Sequence, residues 1–212
     1  MENVFDREKH VYRNEEFAEI LKDAVRFFHG TPVFPIPPPE SFSGSGIYAL
    51  YYIGQMGLYS KFGNEINRTG YNVPIYVGKA VPEGWRQSRV LGVSDNKTKL
   101  FSRIREHAKS IQSTKNLNVA DFHCRFMIFE GDARNMIAAV EAALIAEKTP
   151  LWNSVVDGFG NHAPGKERKT GRLPAWDVLH PGRGWTAKMQ GERPEVKNIQ
   201  RRVKDYLAGL RA

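Results

Sequence analysis

The amino-acid sequence predicts an α+β fold in which a small, mainly antiparallel β-sheet is flanked by helices. Runs rich in aromatic and β-branched residues, typical of strands, occur at residues 46–53 (GIYALYYI), 73–80 (VPIYVGKA) and 122–129 (FHCRFMIF). Apolar residues at helical spacing follow the second and third runs, over residues 98–112 and 132–148. This order of strand, strand, helix, strand, helix favours helices packed against one sheet.

An N-terminal helical arm precedes this core. Residues 14–29 place apolar side chains at helical spacing, with Asn14 as a candidate N-cap and Gly30 as a stop signal. The next ten residues, TPVFPIPPPE, contain five prolines and therefore predict neither a helix nor a central strand. We assign residues 1–43 to a helical arm and a proline-rich linker.

The rest of the chain divides into a core and a basic extension. Residues 44–157 hold the predicted strands and the two helices that follow them. Within this core, residues 55–72 are polar with three glycines and predict a long inserted loop. Residues 158–212 form a glycine-rich, basic extension that ends in a helix predicted over 194–210.

The charge of the chain favours an acidic partner. Lysine and arginine total 31 against 23 acidic residues, a net charge of +8. A phosphate backbone is the commonest partner of such a chain, although ordinary surface charge explains the same balance. Cys124 is the only cysteine, which excludes an intrachain disulfide and a cysteine-based zinc site. The sequence has no signal-peptide pattern and no apolar run of membrane-spanning length, so we expect a cytoplasmic protein with no membrane partner.

Two tyrosines on neighbouring predicted strands can share one site. Tyr48 and Tyr52 lie on the same face of the first strand, but four residues along a strand separate them by about 13 Å. Tyr76 lies on the second strand, and side chains on paired strands are only about 5 Å apart. Tyr76 is therefore the predicted partner of Tyr48, and Gly78 suits a turn beside it.

Four further residues stand where their chemistry is informative. Arg103 and His107 are four apart and share one face of the predicted helix, the alternative being an exposed arginine and a solvated histidine. Glu141 interrupts an apolar helix, where a carboxylate is costly unless it is paired with an arginine or binds a cation. Asn153 follows that helix, and asparagine is also common there simply as a turn residue.

Together these residues resemble the signature of the GIY-YIG nuclease superfamily. Gly46-Ile47-Tyr48 and Tyr76-Val77-Gly78 are similar to the two halves of the motif that names it, with valine in place of one isoleucine. The other signature residues match in the family's order, and they are Arg103, His107, Glu141 and Asn153. The 27 residues between the two tyrosines exceed the family's usual spacing, so residues 55–72 are interpreted as an insertion.

The resemblance implies a nuclease that hydrolyses phosphodiester bonds by in-line attack of water, with these six residues as its catalytic set. Tyr48 would accept the proton of the water, with His107 near enough to relay it, and Tyr76 would orient the water or the phosphate. Arg103 would stabilise the transition state and, by its charge, ease the ionisation of Tyr48. One Mg²⁺ ion per active site, bound by Glu141, would stabilise the leaving 3′ oxygen.

The C-terminal extension narrows the resemblance to one branch of the superfamily. Residues 173–185, LPAWDVLHPGRGW, are similar to the tail of its type II restriction endonucleases. The implied activity is cleavage of double-stranded DNA at a short, G/C-rich palindrome by a homodimer, giving 5′-phosphate and 3′-hydroxyl ends. A structure-specific repair or homing-type nuclease is the alternative enzyme, and a catalytically silent DNA-binding regulator is the alternative outside enzymes.

Basic residues beyond the catalytic set are candidates for DNA contact. Lys79, directly after Gly78, would point to a substrate phosphate, with a plain surface lysine as the alternative. Residues 55–72 and the basic stretches could line the duplex, with solvated loops as the alternative. The candidate DNA-binding residues are Lys79, Arg86, Arg89, Lys166, Arg168, Lys169, Arg172 and Arg183. The N-terminal arm is the expected dimer contact.

Overall fold

Four antiparallel strands form one open sheet in the computed structural model, which describes residues 5–55, 57–81, 97–163 and 170–210. The strands are β1 (Val33–Pro35), β2 (Ser45–Tyr52), β3 (Tyr76–Ala80) and β4 (Phe122–Phe129), in the spatial order β1-β4-β2-β3. The predicted α+β class and its three strands are confirmed. The candidate DNA contacts that lie outside the described residues are Arg86, Arg89, Lys166, Arg168 and Lys169.

Strand β1 lies inside the proline-rich linker, where the sequence predicts no central strand. Its three residues pair with β4, with Pro35 opposite His123, and it occupies an edge of the sheet. A central strand forms hydrogen bonds on both sides, so each of its residues needs a backbone N–H, which proline lacks. An edge strand leaves the N–H groups on its outer side unpaired and therefore tolerates proline. The linker is therefore compatible with the sheet because it joins at the edge.

Helices pack on both faces of the sheet. Their bounds are α1 (Glu15–Gly30), α2 (Lys99–Gln112), α3 (Ile137–Lys148), α4 (Leu151–Ser154), α5 (Ala175–Leu179) and α6 (Val196–Gly209). Asn14 caps α1 as predicted, since its side chain accepts a hydrogen bond from the Phe17 amide at 3.0 Å. Among the described residues, no helix has the length and apolar character needed to cross a membrane.

Strand β2 is buried along its whole length because both faces of the sheet are covered. Tyr48 and Tyr52 lie on the face covered by α2, and Tyr51 lies on the face covered by α1 and α3. The α2 side chains that pack on the first face are Leu100, Ile104, Ala108 and Ile111. Because side chains alternate between the two faces of the strand, Tyr48 and Tyr52 can contact α2 and Tyr51 cannot.

The insertion at residues 55–72 belongs to the core rather than to an exposed loop. Two short helical turns form over residues 57–59 and 62–66. Tyr59, Phe62 and Ile66 are buried in the same core as α2. The prediction of a long polar loop is wrong for the described part of this segment, because these side chains, spaced three and four apart, form one apolar face. Contact of the segment with DNA stays a prediction.

The C-terminal extension packs onto this insertion. Lys61 Nζ donates to the carbonyl oxygens of Leu207 (2.7 Å) and Leu210 (3.0 Å) at the end of α6. The Tyr59 hydroxyl lies 2.7 Å from His180 Nε2. Helix α6 contributes Ile199, Val203 and Leu207 to the core. The division of the chain at residues 43 and 157 stays a prediction, with side chains from all three segments packed on one sheet.

Candidate active site

Tyr48 and Tyr76 meet on the face of the sheet that α2 covers. Tyr48 lies opposite Gly78 in the β2–β3 register, and Tyr76 lies opposite Leu50, two residues along. The centroids of the two tyrosine rings are 6.2 Å apart. A Cβ at position 78 would lie 2.5 Å from the Tyr48 hydroxyl oxygen and 2.9 Å from the Tyr76 ring, so glycine is required for this approach. The structure thus brings Tyr48 and Tyr76 together, and their roles in catalysis stay a prediction.

Helix α2 brings His107 against Tyr48. Arg103 and His107 lie one turn apart on α2, and His107 is buried. The Tyr48 hydroxyl oxygen lies 2.5 Å from His107 Nε2. Burial lowers the pKa of His107 well below its usual range, and the charge of Arg103 adds to this effect. His107 is therefore neutral at pH 7, and its Nε2 shares a hydrogen bond with the Tyr48 hydroxyl whose direction is set by which ring nitrogen carries the proton.

Tyr48 keeps its proton in the free chain. Its side chain has no exposed surface, and burial raises its pKa well above the usual value, with a further increase from Tyr76. The positive charge of Arg103 lowers the pKa of Tyr48, as the sequence predicts, but it does not outweigh burial. Ionisation of Tyr48 by Arg103 alone is therefore not the way this site prepares a base.

Arg103 is held by a loop to which the sequence assigns no role in the site. This loop, residues 158–162, is named the site loop below. Arg103 Nη2 donates to the Gly160 carbonyl oxygen at 2.6 Å, and Nη1 donates to His162 Nε2 and to Glu106, both at 2.9 Å. Gly160 and His162 are thus site residues that sequence reasoning misses, since their only signal is a glycine-rich composition.

Glu141 approaches the site from the opposite face of the sheet, beside the edge strand β3. It lies on α3, and its carboxylate forms an ion pair with Lys79 on β3. Its side chain is only 16% exposed. Burial raises the pKa of Tyr76, and the negative charge of Glu141 raises it further, so this carboxylate is electrostatically coupled to the tyrosine pair. The predicted need for a partner is met by a lysine instead of an arginine.

These contacts fit the binding of one divalent cation by Glu141. An ammonium group already lies against the carboxylate, and Lys79 has a flexible, partly exposed side chain that can move aside. Mg²⁺ commonly uses one or two protein carboxylates and completes its shell with water and phosphate oxygens. The described ranges contain no group of three or more His, Cys, Asp or Glu residues that could hold a metal ion. Substrate oxygens and water would therefore have to supply the remaining ligands.

Asn153 holds the strand that carries Tyr76. Its Nδ2 donates to the Val77 carbonyl oxygen and its Oδ1 accepts from the Val77 amide, both at 2.8 Å. This pair of bonds replaces the neighbouring strand that β3 lacks at the sheet edge. The observed hydrogen bonds of Asn153 are thus with the backbone of β3. In this respect Asn153 differs from Tyr48, Tyr76 and His107, whose side chains contact one another in the site.

A basic cleft of about 610 Å³ adjoins Arg103. It lies between the end of β3 and the start of α2, and its polar lining residues are Lys97, Thr98, Lys99, Ser102, Arg103, Glu106 and His162. Glu106 is the one acid among the described residues of this lining, and it is paired with Arg103. The cleft therefore combines positive charge with hydroxyl groups, which suits a phosphate chain.

The remaining described candidates for DNA contact differ in exposure. Arg172 is exposed. Arg183 is only 6% exposed, and its guanidinium forms a buried ion pair with Asp177. We do not retain Arg183 as a DNA-binding residue, because a buried and paired guanidinium has no surface for a DNA phosphate.

His180 predicts a pH-dependent stability. Burial lowers its pKa to about 3, whereas a histidine in the unfolded chain protonates near pH 6.5. The unfolded state therefore binds more protons between these values, and stability falls as the pH falls through this window. From this residue alone we expect the free energy of unfolding to be about 2 kcal/mol lower at pH 5 than at pH 7.5.

Urea unfolding at the two pH values measures this difference. His107 shifts in the same direction and adds to it. A His180→Gln variant should lose the part of the difference that belongs to His180, and an unchanged pH dependence in that variant would contradict the prediction.

Comparison with known protein families gives one continuous match that contains all six candidate catalytic residues. Residues 40–207, about four fifths of the chain, match the family model described as the Eco29kI GIY-YIG domain. The match spans β2 to the last turns of α6, including the insertion and the site loop. No curated protein matches the chain. The matched family is one of type II restriction endonucleases, whose domain implies DNA binding and nuclease activity. The chain therefore belongs to the Eco29kI GIY-YIG family of restriction endonucleases.

Proposed function

We propose that the protein is a type II restriction endonuclease of the bacterial cytoplasm. It would hydrolyse phosphodiester bonds of double-stranded DNA with Mg²⁺, at a short, G/C-rich palindrome, giving 5′-phosphate and 3′-hydroxyl ends. Family membership supports the class of enzyme. The hydrogen bond between the Tyr48 hydroxyl and His107 Nε2 is the observation that carries the mechanism.

The Tyr48–His107 pair accepts the proton of the attacking water. In this mechanism His107 carries its proton on Nδ1, so that Nε2 accepts the hydrogen bond of the Tyr48 hydroxyl. As the water gives its proton to the Tyr48 oxygen, the proton of Tyr48 moves to His107 Nε2. The water oxygen bonds to phosphorus and the bond from phosphorus to the 3′ oxygen breaks. The departing 3′ oxygen takes a proton from solvent water to become the 3′-hydroxyl, and the phosphate remains on the 5′ side. Tyr48 never ionises by itself along this path, in agreement with its raised pKa.

Arg103 binds the scissile phosphate and opens the path to Tyr48. In the free chain its guanidinium is bound by Glu106, Gly160 and His162, and a phosphate offers the same fork two strong acceptors. Movement of Arg103 onto the phosphate admits water beside the buried Tyr48 hydroxyl. The guanidinium then lies where negative charge develops in the transition state.

Glu141 would hold the Mg²⁺, which would supply positive charge that stabilises the phosphate and its leaving group. Lys79, released from the carboxylate, becomes available to a DNA phosphate. Tyr76 orients the water or the phosphate, and Asn153 keeps Tyr76 in place through the Val77 backbone.

The basic cleft beside Arg103 accepts the DNA backbone next to the scissile phosphate. Lys97 and Lys99 bring positive charge to it, and its contact with Arg103 and His162 makes it continuous with the site. Phosphate contacts of this kind position a duplex without reading its sequence. Arg172, exposed in the C-terminal extension, remains a candidate for a further contact.

Two copies of the chain are needed to cut both strands of a palindrome, because one site cuts one strand. Helix α1 supports a two-fold contact, since Phe17, Ile20 and Phe27 on it are 46, 51 and 62% exposed. Sedimentation with a duplex that carries one recognition site should give two protomers per duplex. A Phe27→Glu variant should shift the complex to one protomer, and a single wild-type protomer on the duplex would contradict the dimer.

Digestion of a large, fully sequenced phage DNA tests the activity. The purified protein should give discrete bands with Mg²⁺ and none with EDTA, and mapping the ends would identify the site, the stagger and the end chemistry. A smear, or selective cutting of branched DNA, would favour a repair or homing-type nuclease. Tight retention of DNA without cutting would favour a silent DNA-binding regulator.

A further inference from the structure

A buried ion pair in the C-terminal extension lies behind the site loop. The Arg183 guanidinium lies between the rings of Trp176 and Trp185, with its central carbon 4.7 and 4.8 Å from their centroids. Arg183 Nε donates to Asp177 Oδ1 at 2.6 Å, and Nη2 donates to the other oxygen of that carboxylate. The two charged groups are thus enclosed together and hold each other in one orientation.

The remaining donors of Arg183 hold the backbone of the site loop. Nη1 donates to the carbonyl oxygens of Phe159 (3.0 Å) and Asn161 (3.1 Å), and Nη2 donates to that of Gly158 (2.9 Å). A guanidinium carries five N–H groups, and each of them has an acceptor here. Its planar fork can serve all of these acceptors at once, which the single ammonium of a lysine cannot do.

The same loop contacts the candidate catalytic residues on its other side. The Gly160 carbonyl oxygen accepts from Arg103 Nη2. The Phe159 ring stacks on His107, with centroids 4.5 Å apart and an interplanar angle of 22°. A Cβ at position 160 would collide with the Tyr76 hydroxyl. A shift of this loop would therefore be felt at Arg103, His107 and Tyr76 together.

We propose that Arg183, oriented by Asp177, is a positioning residue for DNA cleavage: it holds the site loop, residues 158–162, so that the loop positions His107 and Tyr76 and, in the free chain, Arg103. The proposal rests on the proposed nuclease function and assigns Arg183 no contact with DNA. It predicts that disturbing the pair lowers the rate of the chemical step and leaves DNA affinity nearly unchanged.

The Arg183→Lys variant tests this, because it keeps the charge beside Asp177 and removes the fork. We expect the single-turnover cleavage rate to fall about 100-fold, the usual effect of an ångström-scale displacement of a reacting group. The affinity for cognate DNA, measured without metal, should change less than about threefold. Amide hydrogen exchange of the site loop should accelerate, while β2 and α2 stay protected.

Tyr59→Phe is the matched control for a general loss of stability in the extension. It removes the hydrogen bond to His180 and leaves the hydrogen bonds between Arg183 and the site loop in place. We expect it to lower the melting temperature and to leave the cleavage rate at the wild-type value. An equal loss of rate in this control would overturn a specific role for Arg183.

Gly160→Ala is a second test in case Arg183→Lys does not fold. It keeps the Arg183–Asp177 pair intact and displaces the site loop, because the added methyl group would collide with the Tyr76 hydroxyl. It should also lower the cleavage rate without weakening DNA binding, and a wild-type rate would overturn the proposal. The proposal would also be overturned if Arg183→Lys weakened DNA binding and left the cleavage rate unchanged. If the wild-type protein cuts no DNA, the proposed function fails, and hydrogen exchange still decides whether Arg183 holds the loop.

Discussion

Replacing Tyr48 by phenylalanine is expected to lower the single-turnover cleavage rate about 1,000-fold, within the range that a lost proton-transfer group costs. The variant removes the oxygen that receives the proton of the water and leaves the ring that fills the core. His107 Nε2 loses its hydrogen-bond partner, but the fold and the affinity for DNA should persist. Single-turnover cleavage with saturating enzyme, and DNA binding at the same salt concentration, measure the two effects separately.

Tyr52→Phe is the matched control for this experiment. Tyr52 lies on the same face of the same strand and is buried in the same core, yet it is four residues along the strand from Tyr48 and lies outside the site. We expect it to cut DNA at the wild-type rate. A wild-type rate for Tyr48→Phe would rule out the proposed proton path, because in that path the Tyr48 oxygen receives the proton of the water.

Replacing Glu141 by glutamine is expected to remove the stimulation of cleavage by Mg²⁺, with a loss of at least about 100-fold in rate. Glutamine preserves the shape of the side chain and removes the charge that now pairs with Lys79. The cleavage rate as a function of Mg²⁺ concentration measures the effect. DNA affinity without metal should stay equal or increase, since Lys79 is freed for a phosphate.

Glu147→Gln provides the control on the same helix. Glu147 is paired with Lys148 and lies 3.5 Å from His29, away from the tyrosine pair. Its loss should leave the response to Mg²⁺ unchanged. Normal Mg²⁺-dependent cleavage by Glu141→Gln would eliminate Glu141 as the metal ligand.

Local patterns predict much of the sheet and of the site. The alternation of side chains along a strand separates Tyr48 from Tyr51, and one helical turn brings Arg103 and His107 to the same side of α2. These relations depend only on backbone geometry within one element, so they can be read from spacing. The edge strand β1 escapes this reasoning because three residues within a proline-rich segment carry no periodic signal.

Residues whose roles depend on distant contacts could not be predicted in the same way. Lys79 is a surface lysine in sequence, and only the packing of α3 beside β3 brings it to Glu141. The composition of the insertion predicts a polar loop, and only the tertiary structure shows that Tyr59, Phe62 and Ile66 are buried in the core. The basic character of its segment predicts that Arg183 contacts DNA. Its burial depends instead on the ion pair with Asp177 and on the rings of Trp176 and Trp185.

The sequence by itself determined the family, the order of the strands and helices along the chain, and the tyrosine, arginine and histidine that meet in the site. Only the tertiary structure decided that the Tyr48–His107 pair is buried and neutral, that Glu141 is paired with a lysine, and that a buried arginine holds the loop beside Arg103. The physical reason is that spacing fixes which side chains share a face of one element, whereas burial and charge pairing are set by residues far apart in the chain.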